Sequence, residues 1–221
     1  MLPWNEIDTV FLDMDGTLLD LHFDNHFWRE HVPLRYAEKH NLDIEQAKAL
    51  LFRKFHLKEG TMDWYCVEYW SRELGLDIVD LKQEIHHLIS VHDHVEDFLR
   101  RTRAAGKHVV MLTNAHVRSL DLKMEITGLT REFDALICAH DFGYPKEDPR
   151  FWLLLGERLP FNSDTTLFID DSLPILRTAR NFGIRHLLAI RKPDSKSPSR
   201  EIAEFTAING FNEIMPGMAR S

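Results

Sequence analysis

One short stretch limits the folds open to this chain. The apolar run Val10-Phe11-Leu12 stops at two carboxylates spaced i, i+2, Asp13 and Asp15, and Gly16 and Thr17 follow at once. A short continuous apolar run bounded by a turn signal reads as a strand buried on both faces, the kind that builds parallel sheets. Such a strand presents its acids at the carboxyl edge, where ligands bind in an open α/β sheet. Gly16 lets the chain turn sharply without a Cβ clash. Asp13 is then placed as a nucleophile and Asp15 as an acid/base. An ordinary strand with an Asp-Gly turn uses the same residues, so the context has to decide. A calcium loop does not fit, because it needs a flanking helix where this chain has a strand, and Thr17 breaks its pattern.

From residue 25 to about residue 90 the pattern is helical, with no convincing strand. Residues 25–40 read as a helix interrupted at Pro33. Asp43 is placed to cap a helix carrying Ile44, Ala47, Leu51 and Phe55 at helical spacing. Thr61 is placed to cap another, ended by Gly75 and apolar on more than one side through Trp64, Tyr65, Val67, Tyr69 and Trp70. A last helix over residues 79–90 completes a bundle of about four. Alternation then resumes. A helix closed by Gly106 leads to the strand Val109-Val110-Met111-Leu112, which ends at Thr113-Asn114. A helix over residues 117–126 has Gly128 as its stop. The strand Ala135-Leu136-Ile137-Cys138 is followed by the loop Gly143-Tyr144-Pro145-Lys146-Glu147-Asp148-Pro149 and a further helix. The strand Thr166-Leu167-Phe168-Ile169 ends at Asp170-Asp171-Ser172, with Ser172 placed to cap a helix that has Pro174 in its first turn. Residues 186–190 form a fifth strand, residues 193–199 are polar, and a short helix closes the chain. Alternating strands and helices predict an α/β fold with a parallel sheet and right-handed crossovers. The helical segment enters after the first strand. It predicts an α/β core domain of residues 1–21 and 92–221 and an inserted helical cap domain of residues 22–91.

Four strand ends therefore carry polar chemistry: Asp13 and Asp15, Thr113 and Asn114, the Lys146 loop, and Asp170 and Asp171. Each alone has a plain explanation. Thr113 can cap the next helix, Lys146 can be a solvated loop lysine, and Asp170-Asp171 can be a turn. All four lie at one edge of the predicted sheet, and that coincidence is the strong signal. In this order they resemble the four motifs of the haloacid dehalogenase (HAD) superfamily. The resemblance implies the HAD fold, a Rossmann-like parallel sheet of order 5-4-1-2-3 with a helical cap between the first two motifs. A closer likeness is to bacterial GMP/IMP nucleotidases of that superfamily. It runs through Asp24-Asn25-His26-Phe27-Trp28, Trp64-Tyr65-Cys66, Leu112-Thr113-Asn114-Ala115-His116, Phe142-Gly143-Tyr144-Pro145-Lys146-Glu147-Asp148 and Leu167-Phe168-Ile169-Asp170-Asp171-Ser172. Glu147 stands where many superfamily members have Pro after the lysine. That departure weakens an analogy to sugar-phosphate members and leaves the cation in place.

The implied chemistry follows from the residue types. A phosphomonoester is dianionic and repels a carboxylate, and a divalent ion bridging Asp13 and a phosphate oxygen removes that repulsion. Hard oxygen donors without a Cys cluster point to Mg²⁺. The resemblance implies an Asp13 oxygen, the Asp15 backbone carbonyl and Asp171 as ligands. Asp170 is either a further ligand or a partner of Lys146 or of a metal-bound water. Asp13 attacks in line to form an aspartyl-phosphate. Asp15 protonates the leaving alcohol and then activates water. The Thr113 hydroxyl and the backbone N–H of Asn114 hold phosphate oxygens, and Lys146 supplies a compact positive charge to phosphate and nucleophile. The implied activity is that of a purine 5′-nucleotidase whose small-molecule substrate is GMP or IMP. Trp28, Trp64, Tyr65 and Trp70 are unranked candidates for stacking the base. The alternatives are a HAD phosphatase for another small phosphate ester, a phosphomutase, a halide-removing enzyme, against which the second acid Asp15 speaks, and a non-enzymatic phospho-accepting switch. Receivers of that last kind are shorter and have no large cap after strand one.

Composition excludes several other classes. A chain of 221 residues that is 44% hydrophobic can build a real core. A net charge of −8 argues against a broad nucleic-acid surface. The first six residues lack a basic and an apolar region, and no apolar run approaches a membrane span. The two cysteines, Cys66 and Cys138, suggest no disulfide framework. These features predict a cytoplasmic protein with neither membrane nor nucleic-acid partner; oligomeric state is not written in the sequence. His86-His87 and His92-Asp93-His94 read as a solvated hinge, since no partner set at metal-ligand spacing accompanies them.

Overall fold

Val10, Phe11 and Leu12 have no exposed surface, and the strand they form, β1 (Thr9–Leu12), lies inside the sheet with a parallel neighbour on each side. The computed structural model describes residues 2–217; residues 1 and 218–221, the two ends of the expected core, lie outside it. The other strands are β2 (His108–Thr113), β3 (Ala135–Cys138), β4 (Thr166–Asp170), β5 (His186–Ile190) and β6 (Ala207–Ile208), all parallel, in the order β3-β2-β1-β4-β5-β6. The expected order of five strands holds. The two-residue β6 extends the β5 edge and was not foreseen, because two residues in a polar tail carry no periodic signal. A short 3-10 turn, Phe211–Ile214, stands where a terminal helix was expected.

The chain between β1 and the second strand is helical: α1 (His22–His26), α2 (Val32–His40), α3 (Ile44–His56), α4 (Met62–Tyr65), α5 (Val67–Leu74) and α6 (Ile78–Glu84). Between α1 and α2 the helix widens over Phe27–His31, where the Val32 N–H reaches back five residues to the Phe27 carbonyl. Pro33 explains the widening, because its ring would clash with the carbonyl of Arg29 in a regular helix. Asp43 caps α3 by accepting the Glu45 N–H. The single helix expected between Thr61 and Gly75 is two. The break falls at Cys66, which is extended at φ −89° and ψ 112°. Cys66 Sγ accepts the Tyr69 N–H and so caps α5, while the Trp70 indole donates to the freed carbonyl of Trp64 at 2.8 Å. Thr61 caps nothing; its hydroxyl donates to the Lys58 carbonyl. The last expected helix is confined to α6, with a single 3-10 turn at His86–Leu88 beyond it.

After the insertion, α7 (Val95–Ala104), α8 (Val117–Thr127), α9 (Pro149–Arg158) and α10 (Leu173–Phe182) cross between strands. The two chain crossings into and out of the insertion are bonded side by side: the Asp20 N–H donates to the Ser90 carbonyl, and the His92 N–H donates to the Leu18 carbonyl. One apolar cluster joins Val10, Leu12 and Met111 of one sheet face to Phe23, Phe27, Leu51 and Trp70 of the insertion. The opposite face packs Phe11, Val110 and Phe168 on Phe151, Trp152 and Leu176. No described helix is long and apolar enough to cross a membrane.

Candidate active site

The four polar strand ends meet at one edge of the sheet. Gly16 has φ +85°, and a Cβ there would stand 2.9 Å from Asp171 Cγ and 3.0 Å from Pro193 Cβ. Both the backbone angle and the contact require glycine, so the first and fourth motifs touch through it. Lys146 is fully buried rather than solvated. Its N–H donates to Asn114 Oδ1 and its carbonyl accepts the Trp152 indole N–H, each at 2.8 Å. These bonds aim the side chain inward. Nζ then donates to Asp13 Oδ1 at 2.6 Å, to Asp170 Oδ2 at 2.7 Å and to the Leu112 carbonyl at 2.9 Å, which uses all three ammonium protons. The other oxygen of Asp170 accepts the Ser172 N–H at 2.7 Å. Asp170 thus takes the place expected of the Ser172 side chain, which makes no capping bond.

Carboxylate oxygens of Asp13, Asp170 and Asp171 lie within 4.8 Å of one another. Burial pushes Asp13 up to about 7, and Lys146 only partly offsets it. Asp170 rises to about 6, again chiefly by burial. Asp171 rises to about 7 through burial and then the nearby Asp13 charge. Burial alone would pull Lys146 down, but Asp13 and Asp170 outweigh it and hold the ammonium above the usual lysine range. Three crowded carboxylates facing one lysine are short of positive charge. Hard oxygens in that arrangement fit a Mg²⁺ ion.

Thr113 is buried, and its Oγ accepts the Ala115 N–H at 3.0 Å. It does not cap α8; the His116 ring does, by accepting the Arg118 N–H. The Thr113 O–H is left to donate to an anion. The Asn114 side chain is committed within the protein, to the Lys146 N–H and, through Nδ2, to Glu147 Oε2 at 2.8 Å. Glu147 Oε1 accepts the Tyr65 hydroxyl at 2.6 Å. The residue that departs from the superfamily pattern therefore ties the insertion to the sheet edge.

Asp15 points into a second charged cluster that the sequence reading missed. Lys123 Nζ donates to Asp15 Oδ1 and to Asp24 Oδ2, both at 2.6 Å, and Lys82 Nζ donates to Asp24 Oδ1 at 3.0 Å. Both lysines are almost wholly buried. The two lysines outweigh burial and hold Asp24 down to about 2. At Asp15 burial wins over Lys123, and the carboxyl is raised. A signal existed in the sequence. Lys123 sits in the helical stripe Leu120-Lys123-Met124-Thr127, and Lys82 in the stripe Ile78-Leu81-Lys82-Ile85. A lysine inside an apolar stripe has to find an acid.

A cavity of about 640 Å³ opens above Asp13, Asp15, Thr113 and Lys146, and the insertion supplies its far wall. Trp28, Trp64 and Tyr65 line it. Trp70 does not: it is fully buried behind them, 5.8 Å from the Trp28 ring and 6.1 Å from the Trp64 ring. Tyr65 is held by Glu147, and the stacked pair Trp28 and Trp64 shares the rest of the aromatic lining with Phe52 and Phe55. The histidines at 86, 87, 92 and 94 join no cluster of three or more metal-ligating groups among the described residues.

A family model described as haloacid dehalogenase-like hydrolase matches residues 7–183. The chain is 40% identical over 217 residues to the GMP/IMP nucleotidase YrfG of Escherichia coli (strain K12), covering 98% of each protein. It is 26% identical over 188 residues to an (S)-2-haloacid dehalogenase of Pseudomonas putida, with 80% of this chain and 82% of the relative aligned. Among solved structures, a HAD phosphatase from Thermococcus onnurineus superposes with a TM-score of 0.77 at 22% identity, over 94% of this chain and 96% of the other. That likeness speaks for the fold alone.

Proposed function

The chain belongs to the haloacid dehalogenase-like hydrolases, and we propose that within them it is a Mg²⁺-dependent phosphomonoesterase that hydrolyses the purine 5′-monophosphates GMP and IMP to nucleoside and phosphate. One observation carries the reading: 40% identity along nearly the whole of both chains to a GMP/IMP nucleotidase. The geometry supports the chemistry. Asp13 is the nucleophile, attacking phosphorus to give an aspartyl-phosphate. Lys146 holds the attacking carboxylate and faces the phosphate with a fixed positive charge. The Thr113 hydroxyl donates to a phosphate oxygen. Asp13, Asp171 and the Asp15 carbonyl would hold the cation, with Asp170 beside them on Lys146. When bound, that cation neutralises the dianion and keeps Asp13 ionised.

Asp15 carries the proton. Burial raises it while Asp24, gripped by two lysines, stays ionised and keeps Lys123 in place. A carboxyl raised by burial beside one held well down by two lysines suits general-acid transfer to the leaving alcohol. The same group, once deprotonated, draws a proton from the water that cleaves the aspartyl-phosphate. A dehalogenase reading, raised by the relative at 26% identity, leaves Asp15 and its lysine without a task. The inserted helices, residues 22–91, serve as the cap: they exclude water and bring Trp28 and Trp64 against the base. The free thiols of Cys66 and Cys138 suit the reducing cytoplasm.

A phosphomonoester panel with and without Mg²⁺ tests this reading. GMP and IMP should be turned over well ahead of AMP and of sugar phosphates, and chelation should abolish the release of phosphate. Equal turnover across the panel would sink the purine assignment. Turnover that survives exhaustive chelation would sink the Mg²⁺ requirement.

A further inference from the structure

A third cluster lies beside the cavity and plays no part in that chemistry. Cys66, at the break between α4 and α5, and Glu68, in the first turn of α5, come from the insertion. His116 begins α8 after β2, and His140 sits in the turn Ala139–Phe142 after β3. One ligand atom each from Cys66, His116 and His140 lie within 4.8 Å of one another. Glu68 Oε2 is 2.8 Å from His116 Nε2 and 3.7 Å from Cys66 Sγ. The two imidazoles stand edge to face, 4.9 Å between centroids. His140 Nε2 is buried and has no hydrogen-bond partner, a costly state for a polar atom unless something is meant to meet it.

From these placements we infer that Cys66, His116, His140 and Glu68 form a site for a soft divalent cation of the zinc class, separate from the carboxylate site, which staples the insertion to the sheet. The donor set is the reason. One thiolate, two imidazoles and a carboxylate suit tetrahedral Zn²⁺ and are poor for Mg²⁺. Zinc–ligand bonds of about 2.0–2.3 Å place neighbouring ligand atoms about 3.3–3.8 Å apart, between the shortest and longest separations seen here. Binding ionises the Cys66 thiol, whose proton leaves to solvent. With the cation on His116 Nε2, the ring proton moves to Nδ1, so the 3.3 Å contact from the Arg118 N–H is given up. His140 gains the partner it lacks. Glu68 and Cys66 are partly exposed, which gives the ion an entry path.

Cobalt(II) added to this chain, stripped of transition metals and then saturated with Mg²⁺, tests the site. One equivalent should bind with a thiolate-to-cobalt charge-transfer band in the near ultraviolet and the intense visible bands of tetrahedral coordination. Zn²⁺ should displace it stoichiometrically. Cys66→Ser should abolish the charge-transfer band, and His140→Gln should weaken binding at least about 100-fold. Cys138→Ser and Asp171→Asn should leave band and affinity unchanged, because neither residue belongs to the set. Circular dichroism accompanies every variant, and His140→Gln decides the case should Cys66→Ser fail to fold. A weak octahedral spectrum without a thiolate band would overturn the inference, as would a band that persists in Cys66→Ser. These spectra do not depend on turnover, so they stand or fall apart from the phosphatase reading.

Discussion

Two buried lysine–aspartate clusters stand at the mouth of the same cavity, and their charge balance differs. In the first, Lys146 faces three carboxylates, those of Asp13, Asp170 and Asp171. The Arg200 guanidinium, partly exposed, donates to the Asp171 backbone carbonyl at 2.8 Å and stands 3.8 Å from the Asp171 carboxylate, outside the buried set. In the second, Lys123 and Lys82 face two carboxylates, those of Asp15 and Asp24. The second cluster is balanced and complete. The first carries an excess of two negative charges when all its members are ionised, the charge of one divalent cation. The contrast teaches which cluster is built to take up a ligand and which is built to hold a proton in place.

Removing one charge should therefore have opposite consequences in the two places. Asp13→Asn takes away the proposed nucleophile and should lower kcat by about 10⁴-fold or more. It should also leave the metal-free protein folded and no less stable, because one excess negative charge has gone; chelated thermal melts alongside phosphate release check both halves. Lys123→Met strips a cation from the balanced cluster and leaves Asp15 and Asp24 buried with one lysine between them. Breaking a buried pair in this way costs about 3–5 kcal/mol, roughly 6–20 °C of melting temperature for a chain of this size. Similar losses in both variants would erase the distinction between the clusters.

How much of this could be read in the sequence follows the same division. The first cluster was legible because each acid ends an apolar strand, and strand ends of a parallel sheet share an edge. Lys146 came with its loop. The partners of Asp15 are not legible, because Lys123 lies 108 residues from Asp15, and Asp24 lies 58 and 99 residues from Lys82 and Lys123, and no local pattern announces which acid a buried lysine will meet. Asp15 itself was assigned its role without the residues that hold it. The aromatic helix reads as one piece in the sequence, because its break at Cys66 rests on the Cys66 Sγ cap and on the Trp70 indole bonding the Trp64 carbonyl, and not on any breaker residue. Trp70 stands unranked beside Trp28, Trp64 and Tyr65 in the sequence, because composition shows an aromatic cluster and not which ring faces the cavity.

Acidity sharpens the comparison next. In the metal-free protein Asp13 and Asp171 sit at about 7 and Asp170 at about 6, above the ordinary value of 3.8. The folded state then binds more protons than the unfolded state between about pH 4 and 7, so stability falls as the pH rises through that window. Asp24, at about 2, acts in the other sense: its contribution is present above about pH 4 and is lost as the pH falls towards 2. Mg²⁺ at about a hundredfold over its Kd should restore about 2.7 kcal/mol at pH 8, roughly 5–11 °C. The gain should shrink at pH 5, where protons compete for the same oxygens. Asp171→Asn should remove most of the Mg²⁺ response, and Lys123→Met should not. Differential scanning fluorimetry across pH, with Mg²⁺ and with chelator, gives all of these numbers.

The smallest expected effect asks whether the first cluster is independent of the inserted helices. The second is not, since Asp24 and Lys82 belong to the insertion while Asp15 and Lys123 belong to the sheet unit. The first connects to the insertion through a chain of hydrogen bonds: Tyr65 to Glu147, Glu147 to Asn114, and Asn114 to the backbone of Lys146. Tyr65→Phe removes the outermost link and leaves the Asn114–Glu147 bond standing. A hydrogen bond to a charged acceptor contributes about 1.5 kcal/mol or somewhat more, so the melting temperature should fall by roughly 3–6 °C. The Mg²⁺-dependent gain should stay as it was, because no ligand has moved, while KM for GMP should rise as the insertion loosens over the cavity. A Tyr65→Phe protein that also lost its Mg²⁺ response would mean that the acid cluster takes its shape from the insertion, and the two clusters would have to be treated as one.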